Sequence, residues 1–167
     1  MKYTISVLTE NHPGVLSRIS GLFARRAFNI DSLAVGPTES PTVSRITIVV
    51  DGNEYTVEQV EKQLNKLIDT IKVKTLGETG EFVQRELMLV KVNVPADKRG
   101  EVIDIVKIMG ASIIDISKTT LTIEITSNTQ QVELLLELLS PYGIKEAVRT
   151  GAIAIEKGAD TITAKSK

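Results

Sequence analysis

The chain has 167 residues, of which 42% are hydrophobic and 25% charged, with a net charge of -1 and no cysteine. These values exclude a disordered chain, a disulfide framework and a thiolate metal site, and they allow one large or two small apolar cores. The only basic tail, Lys165–Lys167, is expected to be frayed and is too short for nucleic-acid or anionic-membrane binding. No apolar run is long enough for a signal peptide or membrane span, so we expect a cytoplasmic protein.

The first half of the chain reads as an alternation of strands and helices. Apolar and polar residues alternate over 3–8, which is typical of a half-buried strand, and from Val15 to Ala27 the apolar residues recur at helical spacing. The remaining predicted elements are strands over 30–35 and 43–50, a helix with its apolar stripe over 57–68, and a strand over 71–76. The predicted order is strand, helix, strand, strand, helix, strand.

The second half repeats this order after the polar residues 77–81. Its predicted elements are a strand over 87–94, a helix over 97–109, strands over 112–117 and 121–126, a helix over 130–139 and a strand over 144–155. The two halves share element order but no matching sequence. The sequence therefore predicts an α+β protein with two ferredoxin-like βαββαβ domains, 1–77 and 85–167, joined by a linker over 78–84.

Enzyme chemistry finds little support in the residue inventory. His12 is the only histidine, so a Ser-His-Asp or Cys-His arrangement could use no other residue, and nothing beside it marks a nucleophile. We interpret His12 as a solvated loop residue rather than a metal ligand or a base. The glycines at 77 and 80 lack the lysine and the strand-to-helix setting of a phosphate loop. We predict no catalytic residue and no metal site.

RNA binding is a further possibility, because the same topology occurs in modules that stack bases on sheet aromatics. Only 4% of the residues are aromatic, and Ile48, Val49 and Val50 stand where stacking rings would be needed. The predicted partners therefore exclude nucleic acid.

The segment Glu10–Leu16, which we call the opening turn, leaves the first strand and begins the first helix. Free backbone N–H groups and the positive end of the helix dipole make such a turn a possible cradle for a carboxylate. Gly14 permits close approach and Pro13 stiffens the turn. Asn11 could cap the helix or accept a hydrogen bond from a ligand ammonium group. From the residues alone, an ordinary capped connection explains the turn at least as well as a ligand site does.

Several stretches resemble one family. Residues 10–19, 22–26, 29–33 and 44–48 are similar to the amino-terminal ACT domain of acetolactate synthase small subunits, also called acetohydroxyacid synthase small subunits. Residues 85–92 and 149–151 resemble the start and end of that family's carboxy-terminal domain. One departure is Ala27, where the family commonly has glycine.

The resemblance implies a non-catalytic regulatory subunit of a transferase. Its partner would be a catalytic large subunit that holds thiamine diphosphate, flavin and magnesium, with no cofactor in this chain. The small subunit would activate the large subunit and confer feedback inhibition by valine in the synthesis of valine, leucine and isoleucine. An alternative is a stand-alone ACT-type amino-acid sensor without an enzyme partner, against which the lack of a DNA-binding helix-turn-helix or basic stripe argues.

The resemblance also implies where valine would bind. Two ACT domains would pair edge to edge in a homodimer, and the effector would lie where the opening turn of one chain meets the second strand of the other. The implied effector-binding residues are Asn11, His12, Pro13, Gly14, Val15, Leu16, Asn29 and Ile30, with the last two contributed by the second chain. The second half has no equivalent turn, because Asp97 begins its helix without a Pro-Gly pair, and we assign it no ligand.

Overall fold

The structure, a computed structural model, describes residues 1–77 and 81–162. Residues 78–80 of the predicted linker and the predicted frayed tail lie outside the described residues. The described residues form two compact units, one containing 1–77, 81–83 and 152–162 and the other containing 84–151. Among the described helices, none combines the length and the apolar character needed to cross a membrane.

The first unit contains a βαββαβ element series. Its elements are β1 (Lys2–Glu10), α1 (Val15–Arg25), β2 (Ile30–Pro37), β3 (Val43–Asp51), α2 (Glu54–Leu64) and β4 (Thr70–Thr75). The strands form one sheet in the order β2-β3-β1-β4, and each neighbouring pair is antiparallel. Because the order places β2 and β4 at the edges, one side of β2 has no partner among the described strands of this sheet.

Alternation along β1 determines which side of the first sheet the helices cover. Ile5 and Val7 are fully buried and belong to the same core cluster as Val15, Ile19 and Phe23 of α1. The apolar stripe of α1 therefore packs on the odd-numbered face of β1, as its helical spacing predicts. This packing fixes the start of α1 at the end of the sheet where β1 finishes.

The second unit repeats the series. Its elements are β5 (Phe82–Asn93), α3 (Arg99–Ile108), β6 (Ser112–Ile116), β7 (Thr120–Ser127), α4 (Thr129–Leu139) and β8 (Ile144–Arg149), with single 3-10 turns before α3 and after α4. The strand order is β6-β7-β5-β8, and a further short strand, β9 (Ile153–Glu156), follows in the chain as part of the first unit. The predicted α+β class with two ferredoxin-like βαββαβ series is confirmed.

The predicted last strand over 144–155 is wrong in its length. It divides into β8 and β9 because Gly151 adopts a φ of +80°, which extended backbone does not contain. The amide of Thr150 donates to the carbonyl oxygen of Leu87 over 3.0 Å, so the chain leaves the sheet immediately after this bond.

Residues 152–162 lie on the first unit, a placement that the predicted carboxy-terminal domain 85–167 did not include. The amide of Ala152 donates to Oγ of Ser32 over 2.9 Å, and Arg45 donates from Nη2 to the carbonyl oxygen of Ala154 over 2.8 Å. Arg45 alternates with buried Ile46 along β3, so it lies on the sheet face opposite the helices. The segment therefore packs on the helix-free face of the first sheet.

The end of α1 is a Schellman motif built around an alanine. Ala27 has a φ of +53° and is the one non-glycine residue with positive φ among the described residues. The amide of Phe28 donates to the carbonyl oxygen of Phe23, and the amide of Ala27 donates to that of Ala24. The rings of Phe23 and Phe28 pack edge to face with centroids 6.1 Å apart. The helix thus ends at Arg25, two residues before the end of the predicted apolar stripe at Ala27.

Candidate functional site

The opening turn connects β1 to α1 and is exposed from Glu10 to Gly14. Gly14 is the N-cap residue of α1 and has a φ of +91°, a left-handed conformation that favours glycine. No side chain in the described part of the chain provides a capping hydrogen bond to the first turn of α1. The free amide groups and the positive dipole end of α1 therefore lie at an exposed surface, where they can bind an anion.

The side chain of Asn11 does not cap α1, which was one of its two predicted roles. Its Nδ2 donates to the carbonyl oxygen of Pro41 and its backbone amide donates to that of Thr42, both over 2.8 Å. These bonds tie the opening turn to the loop between β2 and β3. No described residue donates a hydrogen bond to Oδ1 of Asn11, so this oxygen is available as an acceptor for a ligand.

Asp69 holds the opening turn from below, and the sequence reasoning missed it. Its side chain is only 8% exposed, and its Oδ2 accepts from Nε of Arg18 over 2.6 Å, while Oδ1 lies 2.9 Å from Nε2 of His12. Its backbone oxygen also accepts from the amide of Glu10 over 2.9 Å. A buried carboxylate needs such partners. One residue therefore contacts the start and the middle of the opening turn and also Arg18, two residues beyond its end.

His12 is an exposed residue of the turn, as interpreted from the sequence, and its ring also makes two polar contacts. Its ring is about half exposed, but Nε2 faces Asp69 and Nδ1 lies 3.2 Å from the carbonyl oxygen of Pro13. No spacing in the sequence could reveal this pair, because Asp69 comes after α2 and joins the turn only through the strand pairing of β1 with β4.

Arg18 extends over Gly14. A Cβ placed on Gly14 would lie 3.5 Å from Nη1 and 3.9 Å from Nη2 of Arg18. No described residue accepts a hydrogen bond from either of these terminal amino groups, and the hydrogen bond of this side chain within the described residues runs from Nε to Asp69. Two groups of donors, the guanidinium and the start of α1, therefore lie together at Gly14.

The structure does not bring Asn29 and Ile30 to the opening turn of the same chain. The strand register places Glu10 opposite Val43, but Ile30 opposite Val50. These two positions of β3 are about seven residues apart, or about 23 Å at about 3.3 Å per residue. The predicted site residues therefore divide into two groups at opposite ends of the first sheet, 11–16 at one end and Asn29 with Ile30 at the other.

Titratable residues in the described part of the chain do not form a metal centre. Among residues 1–77 and 81–162, no group of three or more His, Cys, Asp or Glu side chains is arranged to hold a metal ion. This end of the first unit can bind an anion, and Oδ1 of Asn11 is a neutral hydrogen-bond acceptor in the same turn.

Comparison with known proteins identifies the family. Residues 5–72 match the family described as the AHAS small subunit-like ACT domain, and residues 85–158 match the one described as the small subunit of acetolactate synthase. A probable acetolactate synthase small subunit from Archaeoglobus fulgidus is 51% identical over 158 residues, covering 95% of this chain and 98% of the relative. The chain belongs to the acetolactate synthase small-subunit family.

Further members of the small-subunit family agree with this match. The acetolactate synthase small subunit of Mycolicibacterium smegmatis is 47% identical over 93% of this chain and 91% of its own length. The crystal structure of the small subunit from Thermotoga maritima superposes with a TM-score of 0.88 at 39% identity, covering 95% of this chain and 98% of that one. The predicted resemblance and the ACT assignment of the first half are thereby confirmed.

Proposed function

We propose that this chain activates a separate acetolactate synthase large subunit and makes its activity sensitive to valine. The large subunit would carry thiamine diphosphate, flavin and magnesium, and the complex would act in the cytoplasm in the synthesis of branched-chain amino acids. The family match over both halves of the chain supports the catalytic partner. The observation that carries the effector proposal is the uncapped, exposed start of α1 beside the free Oδ1 of Asn11.

These two features fit the two charged groups of an amino acid. The carboxylate of valine would lie on the backbone of residues 14–16, where the helix dipole favours negative charge. Its ammonium group would donate to Oδ1 of Asn11, while His12 and Pro13 keep the turn in place. Leu16 is 44% exposed and offers an apolar surface to the side chain of valine.

The other half of the site would come from a second copy of the chain. A two-fold axis that pairs β2 with β2 reverses the direction of the partner strand. This reversal carries Asn29 and Ile30 of the second copy to the end of the sheet where the opening turn lies. The open side of β2 supplies the backbone groups for such pairing. Residues 1–77 would then form the effector-binding domain of a homodimer.

A stand-alone amino-acid sensor is the less favoured function. Relatives that match nearly the whole chain carry the name of a subunit, which implies an enzyme partner.

The direct test is reconstitution with the large subunit of the same organism. Acetolactate formation is measured with the large subunit alone, with this chain added, and with both over a range of valine concentrations. We expect this chain to raise the rate and valine to lower it again. A rate and valine response that do not change on addition of this chain would contradict the proposal, and valine binding without any effect on the enzyme would favour the stand-alone sensor.

A further inference from the structure

Two polar contacts to one buried carboxylate fix side chains near the opening turn. They join Asp69 to Arg18 and to His12. Asp69 is buried and contacts both the Arg18 guanidinium and the His12 ring, while these two side chains each keep about half of their surface exposed. A buried carboxylate beneath the opening turn therefore fixes the positions of two side chains that are partly exposed at the surface.

Two of the three nitrogen atoms of the Arg18 guanidinium have no hydrogen-bond acceptor among the described residues. Its Nε is committed to Asp69, whereas Nη1 and Nη2 lie over Gly14 without an acceptor among the described residues. A guanidinium presents donors in a fixed fork that fits a carboxylate. Because Asp69 fixes one side of this fork, the remaining donors are directed to the same place as the first-turn amides of α1.

A second observation shows that polar groups beneath the turn also lack partners. The hydroxyl of Thr9 is fully buried and has no hydrogen bond within the described residues, and the same holds for the hydroxyl of Thr70. The register pairs Thr9 with Thr70, which follows Asp69 directly. Since buried polar groups are nearly always hydrogen-bonded, this end of the sheet has polar capacity that the free chain does not use.

We infer that Arg18 binds the carboxylate of the effector together with the start of α1, and that Asp69 is the positioning residue that aims Arg18. The inference rests on the proposed effector site and adds a charged side chain to a site otherwise built from backbone and amide groups. It assigns selectivity for a free amino acid over a derivative without a carboxylate to one side-chain pair. His12 shares the carboxylate of Asp69 and limits the orientations that this carboxylate can take.

The test compares L-valine with L-valinamide, which lacks the carboxylate charge, by calorimetric titration of the purified full chain. We expect Arg18→Gln to lower the affinity for valine by about 10- to 100-fold, because a charge-assisted hydrogen bond is lost. The affinity for valinamide should change by less than about threefold. Arg18→Lys, which keeps the charge but not the fork, should lie between the wild type and Arg18→Gln. Arg85→Gln removes an exposed arginine of the second unit and serves as the matched charge control.

A double-mutant cycle tests the role of Asp69 as a positioning residue. Asp69→Asn alone should lower the affinity for valine by about 3- to 10-fold. In the Arg18→Gln background the same substitution should have almost no further effect, whereas a merely structural role would reduce binding equally in both backgrounds. Circular dichroism of each variant separates loss of folding from loss of binding.

The outcomes distinguish this inference from the proposed function. If the wild type binds valine and Arg18→Gln binds it equally well, Arg18 has no role and the effector site stands. If Arg18→Gln weakens valine and valinamide to the same extent, the residue supports the turn rather than the carboxylate, and the inference fails. A wild-type chain that binds none of valine, leucine and isoleucine would overturn the effector site and the inference together.

Discussion

The Nε atom of Arg18 donates to Oδ2 of Asp69 over 2.6 Å and joins the first turn of α1 to the segment that precedes β4. The two residues are separated by 51 positions in the sequence. Their contact makes the opening turn a supported element, because a buried carboxylate of the sheet end holds it from the side opposite to solvent.

The first prediction concerns the stability that Asp69 provides. Asp69→Asn leaves Arg18 without its ionised partner at a buried position, and we expect the free energy of unfolding to fall by about 1–3 kcal/mol. Asp31→Asn breaks an exposed ion pair with Lys2 and should cost less than about 0.5 kcal/mol. Urea unfolding followed by circular dichroism measures both. Equal effects of the two substitutions would mean that the buried Asp69 contributes no more to stability than an exposed ion-pair partner does.

The second prediction concerns Gly14, whose φ of +91° makes any side chain strained. Gly14→Ala and Gly14→Asp should therefore destabilise the chain to a similar degree, about 1–2 kcal/mol. Only aspartate adds a carboxylate, which would lie near Nη1 of Arg18 where the carboxylate of valine is proposed to bind.

Calorimetry with valine separates these two effects of Gly14. We expect Gly14→Ala to keep measurable affinity and Gly14→Asp to lose it, because two carboxylates cannot share one group of donors. If both variants bind valine with the same affinity, the charge at this position is irrelevant and the carboxylate lies elsewhere.

The third prediction concerns Ala27, which closes the Schellman motif at a φ of +53°. Glycine has no Cβ penalty in this conformation, so Ala27→Gly should stabilise the chain by about 1 kcal/mol and raise Tm by about 3 °C. Ala24→Gly, in the regular part of α1, is the control and should instead destabilise by about 1 kcal/mol. Calorimetric scanning measures both, and a lower Tm for Ala27→Gly would refute the assignment of strain to this residue.

The fourth prediction concerns residues 152–162, which pack on the helix-free face of the first sheet. Ala154 is 6% exposed, whereas its neighbour Ile155 is 56% exposed. Burial also lowers the pKa of the Arg45 guanidinium that contacts the carbonyl group of Ala154, although the charge of Glu156 opposes this effect. Ala154→Glu should loosen the segment, because it places an unpaired charge in a buried position. Ile155→Glu should have little effect.

Amide hydrogen exchange read by mass spectrometry locates the effect of Ala154→Glu. We expect faster exchange in β1 and β3 of the first unit and unchanged exchange in β7 of the second. Faster exchange confined to β7 would show that residues 152–162 stabilise the second unit instead.

Hydrophobic spacing was sufficient to predict the fold. The alternation of Ile5 and Val7 and the stripe of Val15, Ile19 and Phe23 are local patterns, and local patterns determine which face an element buries. The break after β8 was missed because a single positive φ at Gly151 leaves no mark on hydrophobic spacing.

The site was only partly visible in the sequence. The opening turn is a continuous segment and could be recognised, whereas the left-handed backbone at Ala27 was not predicted, although the family commonly has glycine there. Asp69 could not be found, since it is one aspartate in a connection and meets His12 and Arg18 only after β1 and β4 have paired. Residue spacing in the sequence cannot predict contacts that depend on which strands pair in the folded chain.

In the proposed homodimer, the opening turn of one chain and the start of β2 of a second chain form one valine site. Gly14→Asp damages the first half of this site and Asn29→Arg would obstruct the second half from an exposed position. Each variant alone should bind no valine in calorimetry. In a mixed dimer, however, the intact turn of the Asn29→Arg chain faces the intact Asn29 of the Gly14→Asp chain.

Subunit exchange between these two variants is therefore the most direct measurement. After random exchange, about half of the dimers are mixed and each has one intact site, so valine binding should return to about one quarter of the wild-type capacity with wild-type affinity. If the mixture binds no valine although native mass spectrometry shows the mixed dimer, a valine site shared between two chains is ruled out.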